Sequence, residues 1–365
     1  METKFGSKIR VTDLFAGAGG LTEGLLSLSN QFVANQAVEM DMDAAATYKA
    51  NFPEADVANS NILDWINSGQ LVETDLIVGG PPCQGFSTLG KQDQNDEKNL
   101  LWVQFADAVF QANPSYFVLE NVPQFSTSTQ RAVFESELAE GKLSNYTASI
   151  FTVNTADFGA PQLRKRMIIL GSRKDVATLK LPVPTHIPEN YATVRDALSG
   201  VPLEVSGIDL PDKKMVIEGK TRPGVFRTDE LHLGRNYSKL SMDRFVEIPP
   251  GGNRFDLPDE LKAPCWIKHT TGSGDVMGRL RWDQPSVTIR TEFNKPEKGR
   301  YLHPTEHRAI THFEAARIMG FRDDYKWVGS KTSIAKQIGN AVPIQLGNAI
   351  GRQILNLMAA VPLAS

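Results

Sequence analysis

The sequence has few cysteines and no long apolar run. Cys83 and Cys265 are the only cysteines among 365 residues, which excludes a disulfide framework and indicates a reducing compartment. No stretch approaches the roughly 18 uninterrupted apolar residues of a membrane span, and METKFGSKIRVTDLF lacks the apolar core of a signal peptide. The 39 Lys and Arg side chains nearly balance the 42 Asp and Glu side chains, so charge repulsion does not predict disorder. These absences favour a globular, cytoplasmic protein without a membrane partner.

Charge is distributed unevenly along the chain. Residues 220–300 contain 15 basic and 11 acidic side chains, a balance of +4, whereas the whole chain has a net charge of −3. A basic segment in an acidic chain fits a surface that binds a polyanion, because each neutralised phosphate releases counterions. An ordinary solvated surface would have the same composition, so charge alone leaves both interpretations open.

Short apolar runs alternate with helical patterns over the first 175 residues. Strands are predicted at 9–15, 32–38, 76–78, 116–119 and 167–170, and helices at 21–29, 43–51 and 100–112. Such alternation is typical of βαβ units, which build a mostly parallel sheet covered by helices on both faces. Residues 181–274 are rich in Pro and Gly without a regular period, so they predict a separate, irregular lobe. Helical spacing returns at 311–320 and 344–358, which indicates that the chain then completes the first domain.

A glycine-rich turn, Phe15–Gly20, lies between the first predicted strand and helix. Glycines let the backbone approach a ligand closely, and open α/β sheets bind cofactors at the carboxyl ends of their strands. Glu39 ends the second strand about 20 residues later, where it would accept hydrogen bonds from a ribose. The dinucleotide pattern G-x-G-x-x-G fails because Thr22 occupies its last position, and this disfavours a nicotinamide enzyme. Since glycine-rich turns are common, a purely structural turn stays open.

Two candidate catalytic residues follow predicted strands at the same sheet edge. Cys83 lies in GGPPCQGFS after the strand 76–78, where two prolines stiffen the backbone. A lone cysteine is more often an inert buried side chain, but this setting favours a reactive thiol. Cys265 has no such setting and is expected to be structural. Glu120 ends the strand 116–119, where a strand-end salt bridge is its alternative role.

Two arginines precede the strand MIIL. Arg164 and Arg166 are two residues apart on an extended segment, so they are predicted to point the same way. Guanidinium forks suit a base carbonyl or a phosphate. Solvated charges beside a strand are the alternative, and no metal site is predicted.

Together these segments resemble the cytosine-C5 DNA methyltransferases, in particular the bacterial modification enzymes. The matching motifs follow the family's order over nearly the entire chain: DLFAGAGGLTEG, GGPPCQGFS, Glu120-Asn121-Val122, QLRKR, RLRWDQPSVTIR, LHPTEHRAIT and QIGNAVPIQLGNAI. The resemblance does not extend over residues 174–274, where the family itself varies. Asn61 stands where many members have an aspartate that contacts the adenine of the cofactor. The resemblance implies an α/β, Rossmann-like fold of S-adenosylmethionine-dependent methyltransferases, with a mixed sheet, helices on both faces and a smaller irregular target-recognition lobe.

The resemblance also implies a reaction and its residues. S-adenosylmethionine would methylate C5 of a cytosine that is flipped out of duplex DNA. The implied catalytic residues are Cys83, which attacks C6, Glu120 at N3, Arg166 at O2, and Arg164, which supports the pocket or a nearby phosphate. The implied cofactor contacts are Phe15, Gly17, Gly19, Gly20, Leu21, Glu39, Asn61, Ile62, Pro82, Leu101, Asn340, Ala341 and Val342.

The implied organisation has three parts. Residues 1–185 and 325–365 form the catalytic, cofactor-binding domain, 186–300 the target-recognition lobe and 301–324 a hinge region. A monomer is expected, with a cognate restriction endonuclease as a functional rather than a physical partner. Two alternatives stay open: a tRNA cytosine methyltransferase of the same fold, and a DNA-binding protein without activity. Cys-Gln-Gly-Phe-Ser favours the DNA branch, and the intact catalytic residues favour an enzyme.

Overall fold

The computed structural model describes residues 8–82, 101–268 and 271–359. Cys83 and the polar segment 89–98, which the sequence predicts as a mobile lid, lie outside the described residues. The strands are β1 (Ile9–Leu14), β2 (Phe32–Val38), β3 (Asp56–Ala58), β4 (Leu76–Gly79), β5 (Tyr116–Asn121), β6 (Tyr146–Asn154), β7 (Gln162–Leu163), β8 (Lys165–Arg173), β9 (Lys214–Ile217), β10 (Lys220–Arg227), β11 (Ser286–Val287) and β12 (Lys326–Val328). The helices are α1 (Gly20–Leu28), α2 (Met42–Asn51), α3 (Ile62–Asn67), α4 (Leu101–Ala112), α5 (Thr129–Ala139), α6 (Val194–Ala197), α7 (Lys239–Glu247), α8 (Pro264–Lys268), α9 (His312–Met319), α10 (Lys331–Asn340) and α11 (Ile344–Ala359).

Seven strands form the main sheet, in the order β3-β2-β1-β4-β5-β8-β6. The first five strands are parallel to one another, whereas β8 is antiparallel to both β5 and β6. The carboxyl ends of the parallel strands therefore lie at one edge of the sheet. The glycine-rich turn follows β1 at this edge, and Glu120 is the next-to-last residue of β5. This mixed sheet confirms the predicted fold class.

Each face of the sheet buries its own apolar cluster, because successive strand side chains point to opposite faces. One face of β1, β4 and β5 packs Val11, Val78 and Val118 with residues of α1 and α11. The other face packs Leu14, Ile77 and Phe117 with residues of α3 and α4. Helices α1 and α11 approach closely because each has a glycine at the contact. A Cβ on Gly24 of α1 would lie 2.7 Å from the Cα of Gly347 on α11. These two layers hold the carboxyl edge of the sheet in place.

The chain packs as two compact units. The described residues of the first unit lie within 1–158, 165–185 and 342–365, and those of the second lie within 159–164 and 186–341. Residues 325–341, assigned to the catalytic domain from the sequence, pack within the second unit because β12 pairs with β10. The predicted hinge, 301–324, also packs within the second unit. The functional division of the chain into domain, lobe and hinge stays a prediction.

The second unit has little regular structure. It contains the antiparallel sheet β12-β10-β9, the parallel pair β11-β7 and an apolar cluster centred on Phe245 and Leu302. Where loops leave carbonyls without ladder partners, buried guanidinium groups supply donors. Arg279, 2% exposed, donates to the carbonyls of Phe245, Ile248, His303 and Glu306. Among all described residues, no helix is long and apolar enough to cross a membrane.

Candidate active site

The glycine-rich turn connects β1 to α1 in left-handed backbone conformations. The φ angles of Phe15, Gly17 and Gly19 are 57°, 53° and 83°, and such angles strain a residue that has a side chain. The amide of Gly17 donates to Oε2 of Glu39 at 2.8 Å, while Oε1 of Glu39 accepts from the amide of Asp41 at 2.7 Å. A Cβ on Gly17 would meet nothing within 4 Å. The turn is thus fixed by Glu39 and still faces open space.

Glu39 is a half-buried carboxylate at the end of β2. Burial raises its pKa, and the amides of Asp41 and Gly17 oppose this effect by donating to the ionised form. Each carboxylate oxygen has two lone pairs, so an oxygen that accepts from one amide still has capacity for a hydroxyl donor. Gly17 and Glu39, both predicted to contact the cofactor, therefore lie next to each other, and their contact with a cofactor stays a prediction.

Three of the predicted cofactor contacts are apolar side chains of the first unit. Phe15, Ile62 and Leu101 all belong to the cluster on one face of the sheet. Asn61 is the N-cap of α3, where its Oδ1 accepts from the amide of Leu63 at 2.8 Å. Pro82 is exposed at the end of the described segment. The first unit therefore contains these residues, and their joint contact with a cofactor stays a prediction.

The remaining predicted cofactor contacts are distributed over two units. Gly20 and Leu21 are the buried first residues of α1. Val342 is a buried member of the apolar cluster that includes Leu21. Asn340, exposed at the end of α10, and Ala341, buried, belong to the second unit. Any approach of these last two residues to the turn stays a prediction.

Glu120 and Arg166 form an ion pair at the carboxyl edge of the sheet. Nε of Arg166 lies 2.6 Å from Oε1 of Glu120, and the two side chains are 15% and 12% exposed. Antiparallel pairing of β5 with β8 places Glu120 opposite Ile168 and so brings Arg166 alongside. A Cβ on Gly80 would lie 3.0 Å from Oε2 of Glu120. Glycine at position 80 therefore keeps that oxygen uncrowded.

The same edge fixes the segment that precedes Cys83. Nδ2 of Asn121, the residue after Glu120, donates to the carbonyl of Pro81 at 3.1 Å. Gly79 ends β4 beside Leu119 of β5 in the parallel register. Pro81 is two residues before Cys83 in the sequence, so the last described residues before Cys83 lie next to Glu120 and Asn121.

Arg164 has different partners from Arg166, which corrects the prediction that the two arginines point the same way. Arg164 is 2% exposed. Its guanidinium donates to the carbonyls of Ile289 at 2.8 Å and Gly339 at 3.1 Å. It occupies the break between β7 and β8, so the two-residue alternation of a strand does not run through it. Arg164 braces main-chain segments of the second unit.

Sequence reasoning missed a buried polar cluster beneath the turn. Asp13, Thr22 and Tyr48 are 2%, 0% and 0% exposed, and the hydroxyl of Thr22 donates to Oδ2 of Asp13 at 2.7 Å. The sequence signal for this cluster was Thr22, a hydroxyl residue at the position of the last glycine in the dinucleotide pattern.

The expectation for Cys265 is also corrected, because its side chain is exposed on α8 rather than buried.

Solved structures first define the class of fold. A chain assigned as a DNA modification methyltransferase encoded within an E. coli prophage has a TM-score of 0.73 and 24% identity, over 96% of this chain and all of that one. The S. pombe Dnmt2 methyltransferase has a TM-score of 0.57 and 16% identity, over 96% of this chain and 99% of that one. This chain therefore has the fold of these methyltransferases.

The sequence comparisons then define the family. The family model of the C-5 cytosine-specific DNA methylases matches residues 9–356. The type II methylase M.HgiDII of Herpetosiphon aurantiacus is 31% identical over 94% of each chain. The type II methyltransferase M1.HphI of Haemophilus parahaemolyticus is also 31% identical, over 94% of this chain and 86% of the relative. The chain belongs to the C-5 cytosine-specific DNA methylase family, which confirms the predicted resemblance and enzyme class.

Proposed function

We propose that this enzyme methylates C5 of a flipped-out cytosine within a specific sequence of duplex DNA, with S-adenosylmethionine as methyl donor. Relatives named as type II methylases support a modification enzyme whose product protects DNA from a cognate restriction endonuclease. The observation that supports the catalytic part of this proposal is the ion pair between Glu120 and Arg166. The next residue, Asn121, binds Pro81, which is two residues before Cys83 in the sequence.

The glycine-rich turn and its neighbours fit S-adenosylmethionine. This cofactor is a cation without phosphates, so it needs close backbone approach and an apolar wall rather than an anion site. Gly17 offers open space, Glu39 offers a carboxylate for ribose hydroxyls, and Phe15, Ile62 and Leu101 offer the wall. When bound, the cofactor supplies an electrophilic methyl group. The proposed set is completed by Gly19, Gly20, Leu21, Asn61, Pro82, Asn340, Ala341 and Val342.

Cytosine needs activation because its C5 is a poor nucleophile. The thiolate of Cys83 forms a bond to C6, and the displaced ring electrons make C5 behave as an enamine carbon. Once the methyl group has passed to C5 and the donor's sulfur has left as a neutral thioether, a base would remove the C5 proton, and the electrons of that bond would expel the Cys83 thiolate and restore the ring. Base flipping is required because C6 is inaccessible inside a stacked duplex.

Glu120 and Arg166 would hold the base during this addition. Oε1 of Glu120 is bound to Arg166, so the uncrowded Oε2 is the oxygen that faces N3. Nη1 of Arg166 donates to the carbonyl of Lys165 at 2.7 Å, which leaves Nη2 to donate to O2. A proton carried on Oε2 would donate to N3, Nη2 would donate to O2, and both hydrogen bonds would stabilise the electron density that the thiolate adds to the ring.

Residues 186–300 are proposed to read the target sequence in the major groove. Not all of the basic side chains in this segment can bind DNA, because Arg279 and Arg300 bind main-chain carbonyls. The exposed cations Lys268 and Arg281 are better placed to meet DNA. Arg and Lys suit guanine edges in that groove.

The catalytic assignment is tested by trapping on duplex DNA that contains 5-fluorocytosine. Fluorine cannot leave as a proton does, so the wild-type enzyme with cofactor is expected to form a stable covalent adduct. Cys83→Ala should form none, whereas Cys265→Ala, which removes the other thiol, should form as much as the wild type. Glu120→Gln should slow methyl transfer roughly 10²–10⁴-fold, as expected for a positioned acid. Adduct formation by Cys83→Ala would refute the proposed nucleophile.

The substrate is tested by comparing methyl transfer from labelled cofactor to duplex DNA and to tRNA. Transfer to DNA alone is expected, and bisulfite sequencing of the product should locate the methylated cytosine in one repeated sequence. Transfer to tRNA alone would overturn the proposed substrate.

A further inference from the structure

A buried acid lies directly under the proposed cofactor turn. Asp13 is in β1, between Ala37 of β2 and Val78 of β4, and is 2% exposed. Oδ2 of Asp13 accepts from the hydroxyl of Thr22 on α1 at 2.7 Å. That hydroxyl oxygen lies 3.0 Å from the hydroxyl of Tyr48 on α2. With Thr22 donating to Asp13, Tyr48 donates to Thr22, which makes a chain of hydrogen bonds across three elements.

The chain of hydrogen bonds is connected to the turn through the ring of Tyr48. A Cβ on Gly19 would lie 2.9 Å from that ring and 2.6 Å from the ring of Phe52, so the turn rests on these two side chains. The two rings contact each other, with centroids 4.6 Å apart. A shift of Tyr48 would therefore move Gly19, and with it the adjoining turn.

The charged surroundings of Asp13 contain acids and no basic partner. Within residues 8–82, 101–268 and 271–359, no basic side chain forms an ion pair with Asp13. Glu39 is the nearby charge that acts on it, and Tyr48 faces it from α2. Burial raises the pKa of Asp13 to about 8, an effect that Glu39 adds to and Thr22 opposes. Ala37 and Val78, its sheet neighbours, are uncharged.

We propose that Asp13 is a positioning residue that holds the cofactor-binding turn as a neutral carboxylic acid, through Thr22 and Tyr48. This inference rests on the proposed cofactor site and assigns it a protonation state. Ionisation of Asp13 places a second negative charge near Glu39 in a buried site, where water cannot compensate it. The hydrogen-bond chain and the turn above it then lose the geometry that binds the cofactor.

The test uses calorimetric binding of S-adenosylhomocysteine to the full chain between about pH 6.5 and pH 9.5. Wild-type affinity is expected to fall about tenfold per pH unit above the pKa of Asp13. Asp13→Asn reproduces the neutral acid, so at neutral pH it should bind within about threefold of the wild type. The ratio of wild-type to Asp13→Asn affinity isolates this titration, because the ligand's own amino group titrates equally in both.

Further variants separate positioning from simple structural loss. Tyr48→Phe removes one buried hydrogen bond and should weaken binding roughly fivefold. Thr22→Val removes both hydrogen bonds of the chain and should weaken binding more, while Thr22→Ser should bind as the wild type. In Thr22→Val the alkaline fall should also move to higher pH, because the hydroxyl that stabilises the ionised form is gone. A thermal melt of each variant checks that it folds.

Two results have distinct meanings. If Asp13→Asn binds as weakly at neutral pH as Asp13→Ala, or if its affinity keeps the wild-type alkaline fall, the proposed neutral acid is wrong. If the wild-type protein itself does not bind S-adenosylhomocysteine, the proposed cofactor site is wrong, and this inference, which rests on that site, is wrong as well.

Discussion

The two units bury acids in opposite ways. In the first unit burial raises the pKa of Asp13 to about 8, an effect that the hydroxyl of Thr22 opposes and the neighbouring acid Glu39 adds to. In the second unit Glu314, 0% exposed, accepts two hydrogen bonds of 2.8 Å from Arg308, and its pKa is lowered. A buried carboxylate with a cation stays ionised, and one without a cation holds its proton.

The histidines of the second unit extend this contrast. His303 has its Nε2 3.6 Å from Oε1 of Glu314, yet burial lowers its pKa to about 4. His312, which faces the carbonyl of Lys331, also has its pKa lowered to about 4 by burial. The positive charge that balances Glu314 is therefore that of Arg308. Acidification should strengthen the first unit and weaken the second.

The largest effect is expected when Arg308 is removed. Arg308→Met leaves Glu314 buried and unpaired, which should lower the free energy of unfolding of the second unit by about 3–5 kcal/mol. Urea denaturation followed by hydrogen exchange in residues 301–319 measures this loss. The double variant Arg308→Met/Glu314→Met removes both charges and should recover most of the stability. A loss below about 1 kcal/mol in the single variant would contradict the importance of the ion pair.

Much of the fold could be predicted from the sequence because parallel strands and amphipathic helices have short-range signatures. The second strand was predicted at 32–38 and is found at Phe32–Val38, and the helix predicted at 344–358 is found at Ile344–Ala359. The reversed strand β8 continues beyond its apolar run MIIL at both ends. Those extra residues are basic residues, a glycine and a serine, none of which has a large apolar side chain, so their strand conformation depends on pairing with β6 and not on local pattern.

The buried polar contacts could not be predicted, because they join residues far apart in sequence. Glu120 and Arg166 were each placed at the site by motif, but only the β5–β8 register shows that they pair. Arg164 carries the same side chain two residues earlier, and its partners are carbonyls more than 100 residues away. Residue type indicates what a group can bind, whereas the packing of distant segments decides what it does bind.

A pH change tests the contrast directly and should have an intermediate effect. Between about pH 7 and pH 5, the unfolded histidines take up protons that folded His303 and His312 exclude, so the second unit should lose about 2 kcal/mol per histidine. Over the same range unfolded Asp13 stays ionised while folded Asp13 is protonated, so the first unit should gain roughly 2 kcal/mol.

Region-resolved hydrogen exchange at the two pH values measures both changes in one sample. Amides of β1 and β4 report on the first unit, and amides of α9 report on the second. Asp13→Asn should remove the part of the first unit's gain that Asp13 supplies, leaving only the contribution of Glu39, whose pKa is also raised, and the loss in the second unit should stay unchanged. Equal responses in both units would refute the assigned protonation states.

The smallest effect is expected for an ion pair of the same chemistry on the surface. Nζ of Lys239 lies 2.9 Å from both carboxylate oxygens of Asp243 on α7, with side chains 88% and 41% exposed. Water solvates both groups when they separate, so Lys239→Gln should cost no more than about 0.5 kcal/mol in denaturation. Raising the salt concentration should shrink this small cost and leave the cost of Arg308→Met nearly unchanged, because salt screens exposed charges far more than buried ones. Equal salt sensitivity of the two variants would mean that burial does not explain the strength of the Arg308–Glu314 pair.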